Sequence, residues 1–534
     1  MCANWVSRIT KKAVNKKLSL AVTAGLLAGF SCTSAFAATT TDAFDIQINE
    51  SKIHGQNFQY MWSDKDIRTE PLNDLSEEYV KYEFAKDSSI SLTTTNPDHF
   101  AHTYAPKNIS AIKWAGDRDG VIDMTGHKLT LNVNANQDVE YGADGIYIAS
   151  NDVVIDNVAG LEVNVNNATN IANGILVQGD KTRGSYQDGD GLASLTINND
   201  DSKEHAVKIR ATNGNTLYAI HANRNTGSAK IDVKGLVDID VANGMGLYAN
   251  GGDISVGGGS VVARGSEAIR AADGTVLVNA HYAKDGGIVV NGANRDVKID
   301  GDIYLLDIPY EEGGAKVALA LNTDKSSFHG GITHEGPDAK MSMALANGAV
   351  WTNESILQKD NWAGSKVDNF VGGSSAEKAG YIVQKDKHAL NIDNYSGHAV
   401  VVYEHTGDGS NASDYAAGNT TIKTAANGSG IVLSTQKTEN INIDDAAQVN
   451  KILNALAGKL TYSNYVTGED NLDAKVQIAS GLTSSQVFKT GNITFDGASG
   501  QGTFDPNNAG KILEFTDPLT GVKANDAEYV KAGV

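Results

Sequence analysis

The residues best suited to hydrolytic chemistry lie in one short stretch of the sequence. Glycosidic hydrolysis needs two carboxyl groups flanking the scissile bond, one acting as acid and the other as base or nucleophile. The stretch holds Asn199-Asp200-Asp201, then His205, then Lys208-Ile209-Arg210. Residues on a single strand and turn cannot occupy adjacent rows of a repetitive β-structure. We therefore interpret them as turn residues and solvated strand positions.

A glycine- and aspartate-containing loop offers a second candidate site. The run Lys181–Gly191 interrupts the spacing of the β-repeats and contains Arg183, Tyr186, Asp188 and Asp190. Its acids do not supply the six or more oxygen ligands that Ca²⁺ takes, so we predict no metal site. Loops held by a rigid body often carry recognition. We therefore predict a binding loop formed by these four residues.

Other spacings do not predict a catalytic, cofactor or metal site. The closest histidine pairs are His99-x-x-His102 and His329-x₄-His334, and glycines beside the second pair disfavour the helix of an HExxH site. The sequence has no Gly-Asp-Ser-Gly nucleophile turn, and Gly257-Gly258-Gly259 lacks the Lys-Ser/Thr of a phosphate loop. We predict no enzymatic activity and no cofactor, and we interpret the three glycines as a tight corner.

The first 37 residues have the composition of a cleavable signal peptide. They carry five cations, no acid, and an apolar run from Leu18 to Phe30, followed by Ala35-Phe36-Ala37. The run is too short to span a membrane. Cleavage is therefore predicted between Ala37 and Ala38. The alternatives are a surface-anchored helix and a lipoprotein acylated at Cys32.

Cysteine content and charge restrict the partners of the mature chain. Both cysteines, Cys2 and Cys32, lie in the leader, so a chain beginning at Ala38 has no disulfide. The net charge is −20, and it becomes −25 when the five leader cations are removed. Such an acidic surface argues against nucleic acid or anionic lipid as a partner, because like charges repel.

Short β-strands recur in register through the central part of the chain. A small residue followed by Ile or Leu opens successive units at Gly145-Ile146, Gly174-Ile175, Ala219-Ile220, Gly246-Leu247 and Ala268-Ile269. Units of roughly 20 to 30 residues with two or three strands are typical of a parallel β-helix. The absence of proline between Pro106 and Pro309 suits continuous strand pairing. We predict an all-β fold, a right-handed parallel β-helix or solenoid, with a β-sandwich as the competitor.

Five motifs in the second half of the chain resemble a known family. They are Leu345–Thr352 (LANGAVWT), Asn394–Gly397 (NYSG), Ala426–Leu433, Leu453–Leu460 and Ile478–Ser484. These runs are similar to those of autotransporter passenger domains, which Gram-negative bacteria export by type V secretion. The resemblance covers the leader, the repeat pattern and about residues 340–505. It implies a passenger that crosses the outer membrane through its own C-terminal β-barrel.

The repeat pattern and the resemblance together set the predicted domains. Apolar residues spaced three or four apart predict one amphipathic helix over residues 444–460. In chain order, we predict a signal peptide (1–37), an N-terminal cap region (38–115), a parallel β-helix (116–375), a C-terminal passenger segment with the helix (376–505) and the start of a linker to the barrel (506–534).

The function implied by the resemblance is a non-catalytic surface protein, an adhesin or similar binding module associated with virulence. Its expected partners are its own barrel translocator, absent from this chain, and a ligand on a host or neighbouring cell. Membrane contact is expected only through that barrel, and localisation at the cell surface, in the outer membrane or outside the cell. The chain is interpreted as a fragment, or the barrel as a separate polypeptide. A β-helix carbohydrate-active enzyme is the alternative, and a structural surface-layer or matrix protein the third.

Overall fold

A computed structural model gives the conformation of much of the chain. The residues it describes are 39–41, 45–49, 79–84, 86–94, 109–114, 119–135, 142–149, 152–167, 171–179, 191–212, 216–241, 243–282, 288–290, 293–308, 313–357, 363–484, 486–504 and 506. The chain divides into two units, Met1–Ala38 and Thr39–Val534, and every described residue belongs to the second. The predicted cleavage site, Ala37 and Ala38, therefore lies outside the described residues, as does nearly all of the predicted linker.

The described part of the chain is all-β, as predicted, with a single α-helix. The strands of its first half are β1 (Thr39–Thr41), β2 (Asp45–Asn49), β3 (Tyr79–Phe84), β4 (Ser88–Thr94), β5 (Ile109–Trp114), β6 (Asp119–Asp123), β7 (Lys128–Ala135), β8 (Gly142–Ala149), β9 (Asp152–Val158), β10 (Gly160–Asn167), β11 (Ile171–Gly179), β12 (Leu192–Asn199), β13 (Val207–Thr212), β14 (Thr216–Arg224), β15 (Ser228–Asp240), β16 (Met245–Asn250), β17 (Asp253–Val262), β18 (Ile269–Ala272) and β19 (Thr275–Val278). The remaining elements are β20 (His281–Tyr282), β21 (Ile288–Val289), β22 (Val297–Asp300), β23 (Ile303–Leu306), β24 (Lys316–Leu321), β25 (Ser327–His329), β26 (Ile332–Glu335), β27 (Lys340–Leu345), β28 (Val350–Asn353), β29 (Gly364–Val371), β30 (Gly380–Gln384), β31 (Ala389–Ser396), β32 (His398–Tyr403), β33 (Thr420–Ala425), β34 (Ser429–Gln436), α1 (Ala446–Ala457), β35 (Leu460–Tyr462), β36 (Leu472–Ala479), β37 (Val487–Phe495) and β38 (Gly502–Phe504).

Nearly all of the described strands pair in parallel. In the middle of the chain most strands pair with the third strand further along, as β7 does with β10 and β24 does with β27. The pairing also includes β3 and β4, which lie in the predicted N-terminal cap region and pair with β6 and β7. This parallel pairing excludes the competing β-sandwich, since sandwiches are built from antiparallel sheets.

One interior row of apolar side chains runs through thirteen strands. Each member pairs directly with the next, in the order Ile90, Leu131, Val163, Ile209, Ile239, Val261, Ile299, Phe328, Trp351, Ile382, Val401, Leu433 and Val476. None of these side chains is more than 1% exposed. Complete burial of a large apolar side chain contributes about 1.5–3 kcal/mol, so this row is a major source of stability.

The predicted repeat units align in a second sheet of eight strands. Its order is β5-β8-β11-β14-β16-β18-β23-β26. The predicted units pair there in register, with Ile146 opposite Ile175 and Ile175 opposite Ile220. Packing requires a glycine at the first of these units. A Cβ at Gly145 would lie 2.1 Å from Val163 Cγ1 and 2.6 Å from the Gly174 carbonyl oxygen.

The eight-stranded sheet ends at β26, and strand pairing then changes its interval. From β27 to β34 each strand pairs with the second strand further along, as β27 does with β29 and β34 does with β36. At the end of the sheet the Ile332 amide donates to Ser365 Oγ at 2.9 Å. Buried Asp302 accepts hydrogen bonds from Ser355 Oγ and from the amides of residues 356 and 357, each at 3.0 Å. Side-chain hydrogen bonds thus replace the ladder of a further strand.

Helix α1 and two antiparallel strand pairs complete the described C-terminal part. Asp445 caps α1 by accepting from the amides of Ala447 and Gln448. The helix buries Val449, Ile452, Leu453, Leu456 and Ala457, as its apolar stripe predicts. It ends before Gly458, and Leu460 of the predicted stripe lies in β35. Strand β37 pairs antiparallel with β36 and β38. In the described part, no helix has the length and apolarity of a membrane span.

Candidate functional site

A cleft of about 450 Å³ lies on the outer face of β15, β17 and β19. The three strands are in parallel register, with Lys230 opposite Asp253, and Asp232 opposite Ser255. Alternation along each strand turns Ile231 and its equivalents inward and these polar side chains outward. The floor of the cleft is therefore polar.

An insertion between β19 and β22 forms one wall of the cleft. Strands β20 and β21 pair antiparallel as a short hairpin, and His281 and Tyr282 line the cleft. The insertion is closed at its base by Asn279, whose side-chain amide donates to the Ala293 carbonyl at 2.9 Å. Val290 then belongs to a buried apolar cluster on the outer sheet face that also includes Leu277 and Ala320. These contacts fix the hairpin against the sheet.

Arg295 lines the same cleft and follows the insertion. Its Nε lies 2.8 Å from Asp201 Oδ1, and its Nη1 donates to the Gly257 carbonyl at 3.3 Å. A Cβ at Gly257 would lie 2.6 Å from Arg295 Nη1, so glycine leaves room for the guanidinium. The predicted corner is also present: the first half of β17 pairs with β19 and its second half, after Gly258, pairs with β22.

Asp253 is a largely buried acid in the cleft. Burial raises the pKa of its carboxyl above the ordinary value, and a hydrogen bond from Thr275 and the charges of Lys230 and Lys316 oppose that shift. Burial, together with the charge of Asp253, also raises the pKa of the Tyr282 phenol. A carboxyl with a raised pKa inside a cleft is a recognised marker of functional sites.

A row of ring-bearing side chains occupies the outer face of the eight-stranded sheet. The rings of Tyr218, His221 and Tyr248 lie 4.7–5.1 Å apart, and the Arg270 guanidinium lies 5.6 Å from the Tyr248 ring and 4.9 Å from the Tyr304 ring. The rings stack on one another along the row, so their faces are largely used internally. We interpret this row as a stabilising ladder.

His221 is held neutral within that ladder. Its Nδ1 lies 3.1 Å from Asn173 Oδ1 and donates to it, because an amide oxygen only accepts. Burial lowers the pKa of His221 to about 3. Its Nε2 is buried and has no hydrogen-bond partner in the described part of the chain.

Several of the candidate hydrolytic residues contact neighbouring charged groups. Asp200 and His205 share a turn, with Asp200 Oδ2 2.8 Å from His205 Nδ1. The Ser202 amide and His205 lower the pKa of Asp200. Arg210 forms an ion pair with Asp238 at 2.9 Å. These contacts match the predicted turn and strand positions.

The other residues considered in the sequence lie apart from one another or outside the described residues. His329 lies between Asp300 and Glu354, whereas His334 lies 3.7 Å from Asp368. Among the described residues, no group of three or more histidine, cysteine or carboxylate side chains is arranged so that it could hold a metal ion. The predicted binding-loop residues Arg183, Tyr186, Asp188 and Asp190 lie outside the described residues, as do His99 and His102.

The sequence analysis did not identify the cleft. Its floor comes from β15, β17 and β19 and its wall from residues 279–282, 293 and 295, and no local motif connects them. The sequence signal that could have indicated the cleft is the spacing of the repeats, because Asn279–Arg295 interrupts that spacing as Lys181–Gly191 does. No protein-family model, curated protein or solved structure matches the chain.

Proposed function

We propose that this chain is an exported right-handed parallel β-helix that serves as a non-catalytic binding module, an adhesin displayed like the autotransporter passengers it resembles. The observation that carries the proposal is the interior row that continues through thirteen parallel strands. At about 4.8 Å per strand, such a row extends roughly 60 Å, long enough to hold recognition surfaces away from a cell.

The charge and the leader support the same proposal. Basic and apolar residues before Ala38 fit export, and the acidic surface disfavours nucleic acid and anionic lipid. The proposed partners are a barrel translocator and a ligand on a host or neighbouring cell. The proposed location is the cell surface, or the medium if the passenger is released.

A display experiment and a binding experiment test the proposal together. Protease added to intact cells that express the complete gene should remove the protein, and purified protein from residue 38 onward should bind host or neighbouring bacterial cells saturably. Heat-unfolded protein is the control for nonspecific adhesion. Protection from external protease, or equal binding by folded and unfolded protein, contradicts the proposal.

Asp253 favours one alternative, a carbohydrate-active enzyme. Its carboxyl lies in a cleft with a raised pKa, as a general acid requires, and Asp232 lines the same cleft. Incubation with polygalacturonate and other acidic glycans, with and without Ca²⁺, should release neither reducing ends nor unsaturated products. If the protein cleaves a glycan and Asp253→Asn abolishes that cleavage, the adhesin proposal is wrong and the enzyme is the better assignment.

A further inference from the structure

The charges that line the cleft compensate one another. Lys234 contacts Asp232, and Arg295 contacts Asp201. Lys230 lies opposite Asp253 in the strand register, and its charge acts on that carboxyl. Each of the three cations in the lining thus has a carboxylate partner, of which Asp201 lies just outside the lining. The charge of Lys316 also acts on Asp253 from outside the lining. A strongly charged ligand would lose its hydration on entering the cleft and would find no unpaired opposite charge there, so its binding is unfavourable.

The floor nevertheless presents a dense set of hydrogen-bonding groups. Lys230, Asp232 and Lys234 alternate as donor, acceptor and donor along β15, and Asp253 and Ser255 follow beside them on β17. Neighbouring strands are about 4.8 Å apart, and outward side chains on one strand repeat at about 6.6 Å. A hydroxyl group both donates and accepts. A ligand that carries a row of neutral hydroxyl groups can therefore hydrogen-bond to donors and acceptors that lie side by side.

Apolar groups at the wall suit the carbon skeleton of such a chain. Tyr282 is 43% exposed at the cleft, an unusual exposure for a large side chain in this protein. Leu277 and Ala280 also belong to the lining but are buried, so Tyr282 supplies the exposed apolar surface. Tyrosine offers an apolar ring face together with a hydrogen-bonding tip. Cleft volumes of this order hold small ligands or short chain segments.

We infer that the cleft between the β15–β17–β19 floor and the β20–β21 hairpin binds a neutral oligosaccharide segment. This inference rests on the proposed function as a binding module and specifies the chemistry of one ligand. The compensated ion pairs orient sugar hydroxyls, and Tyr282 covers one sugar face. Acidic saccharides are disfavoured, because their carboxylates would compete with Asp232 and Asp253 for the same cations.

Two variants on one strand provide the test. Ser255→Trp fills the cleft, whereas Ser260→Trp places the same side chain on β17 outside the cleft lining. Isothermal titration with cellohexaose, mannohexaose, xylohexaose and, as the acidic comparison, hexagalacturonate would use the full chain from residue 38. A neutral oligosaccharide should bind the wild type and Ser260→Trp. Ser255→Trp should abolish that binding, and Tyr282→Ala should weaken it by at least about tenfold.

Three results would overturn the inference. These are failure of every neutral oligosaccharide to bind, equal binding by Ser255→Trp and the wild type, or preference for hexagalacturonate. Should Ser255→Trp not fold, as judged by its circular dichroism spectrum, Tyr282→Ala alone decides. Cell binding measured on the same proteins separates the two proposals. If the wild type binds cells but no neutral oligosaccharide, the binding-module proposal stands and the oligosaccharide inference is wrong.

Discussion

Replacing Ile239 by aspartate tests whether the interior row holds neighbouring strands together. Ile239 is 0% exposed and pairs with Ile209 on β13 and Val261 on β17. Truncating a buried isoleucine to alanine costs about 2–5 kcal/mol. Keeping an aspartate carboxyl buried and neutral at pH 7 costs a further ~4 kcal/mol, since the ordinary pKa is about 3.9 and each unit is worth about 1.4 kcal/mol. Ile239→Asp should therefore destabilise the strands around it by roughly 6–9 kcal/mol.

The pH dependence of this variant has a defined sign. A buried aspartate has a folded-state pKa above its unfolded value, so its protonated form favours folding. Stability relative to Ile239→Ala should consequently fall as pH rises above about 3.9. At pH 4 the two variants should have nearly equal stability. At pH 7 the Ile239→Asp variant should be much less stable than Ile239→Ala.

Hydrogen exchange measured by mass spectrometry is the appropriate assay, because a group of neighbouring strands can open locally without unfolding the whole chain. Exchange of the β13, β15 and β17 amides should accelerate most in Ile239→Asp and less in Ile239→Ala. Asp240→Asn, at an exposed position on the same strand, is the matched control and should remain within about 0.5 kcal/mol of the wild type. Unchanged exchange in β13 and β17 of Ile239→Asp would refute the reasoning.

Three further predictions address other parts of the chain. Asp302→Ala should speed exchange of the Ile356 amide, because an amide that loses its acceptor costs about 1–3 kcal/mol. Asp324→Ala is the control and should leave that exchange unchanged. Equal effects of the two substitutions would contradict the role of Asp302. NMR titration of His221 should show no protonation between pH 7 and 4, because its folded-state pKa lies below the ordinary value of 6.5. The unfolded chain binds this proton first, so the free energy of unfolding should fall by about 1.4 kcal/mol per pH unit as pH falls from 6.5 toward 3. A titration midpoint near 6.5 would show that the His221 ring is solvated. N-terminal sequencing of exported protein should begin at Ala38, and an intact leader would disprove cleavage.

Much of the local architecture could be predicted because it depends on repeated local patterns. The small residue before Ile146 and Ile175 predicted which strands align, and the structure pairs them in that register. A Cβ at Gly145 or Gly174 would lie 2.6 or 2.5 Å from a carbonyl oxygen of the next strand, so close packing requires glycine in these repeats. Two other repeats carry alanine, so the shared mark is a small residue. The apolar stripe through Ile452 and Leu456 likewise predicted the face that α1 buries.

The cleft and the end of the eight-stranded sheet were decided only by tertiary structure. Asp302 meets residues 355–357 from more than fifty positions away, and Asp253 lies beside Tyr282 only because the insertion folds back on the sheet. Such contacts join single polar residues whose neighbours in sequence look like ordinary turns and strand faces. Periodicity reports which face of a strand is buried, but it carries no information on which outward side chains meet. That pairing depends on the stacking order of the strands and on where each loop leaves the stack.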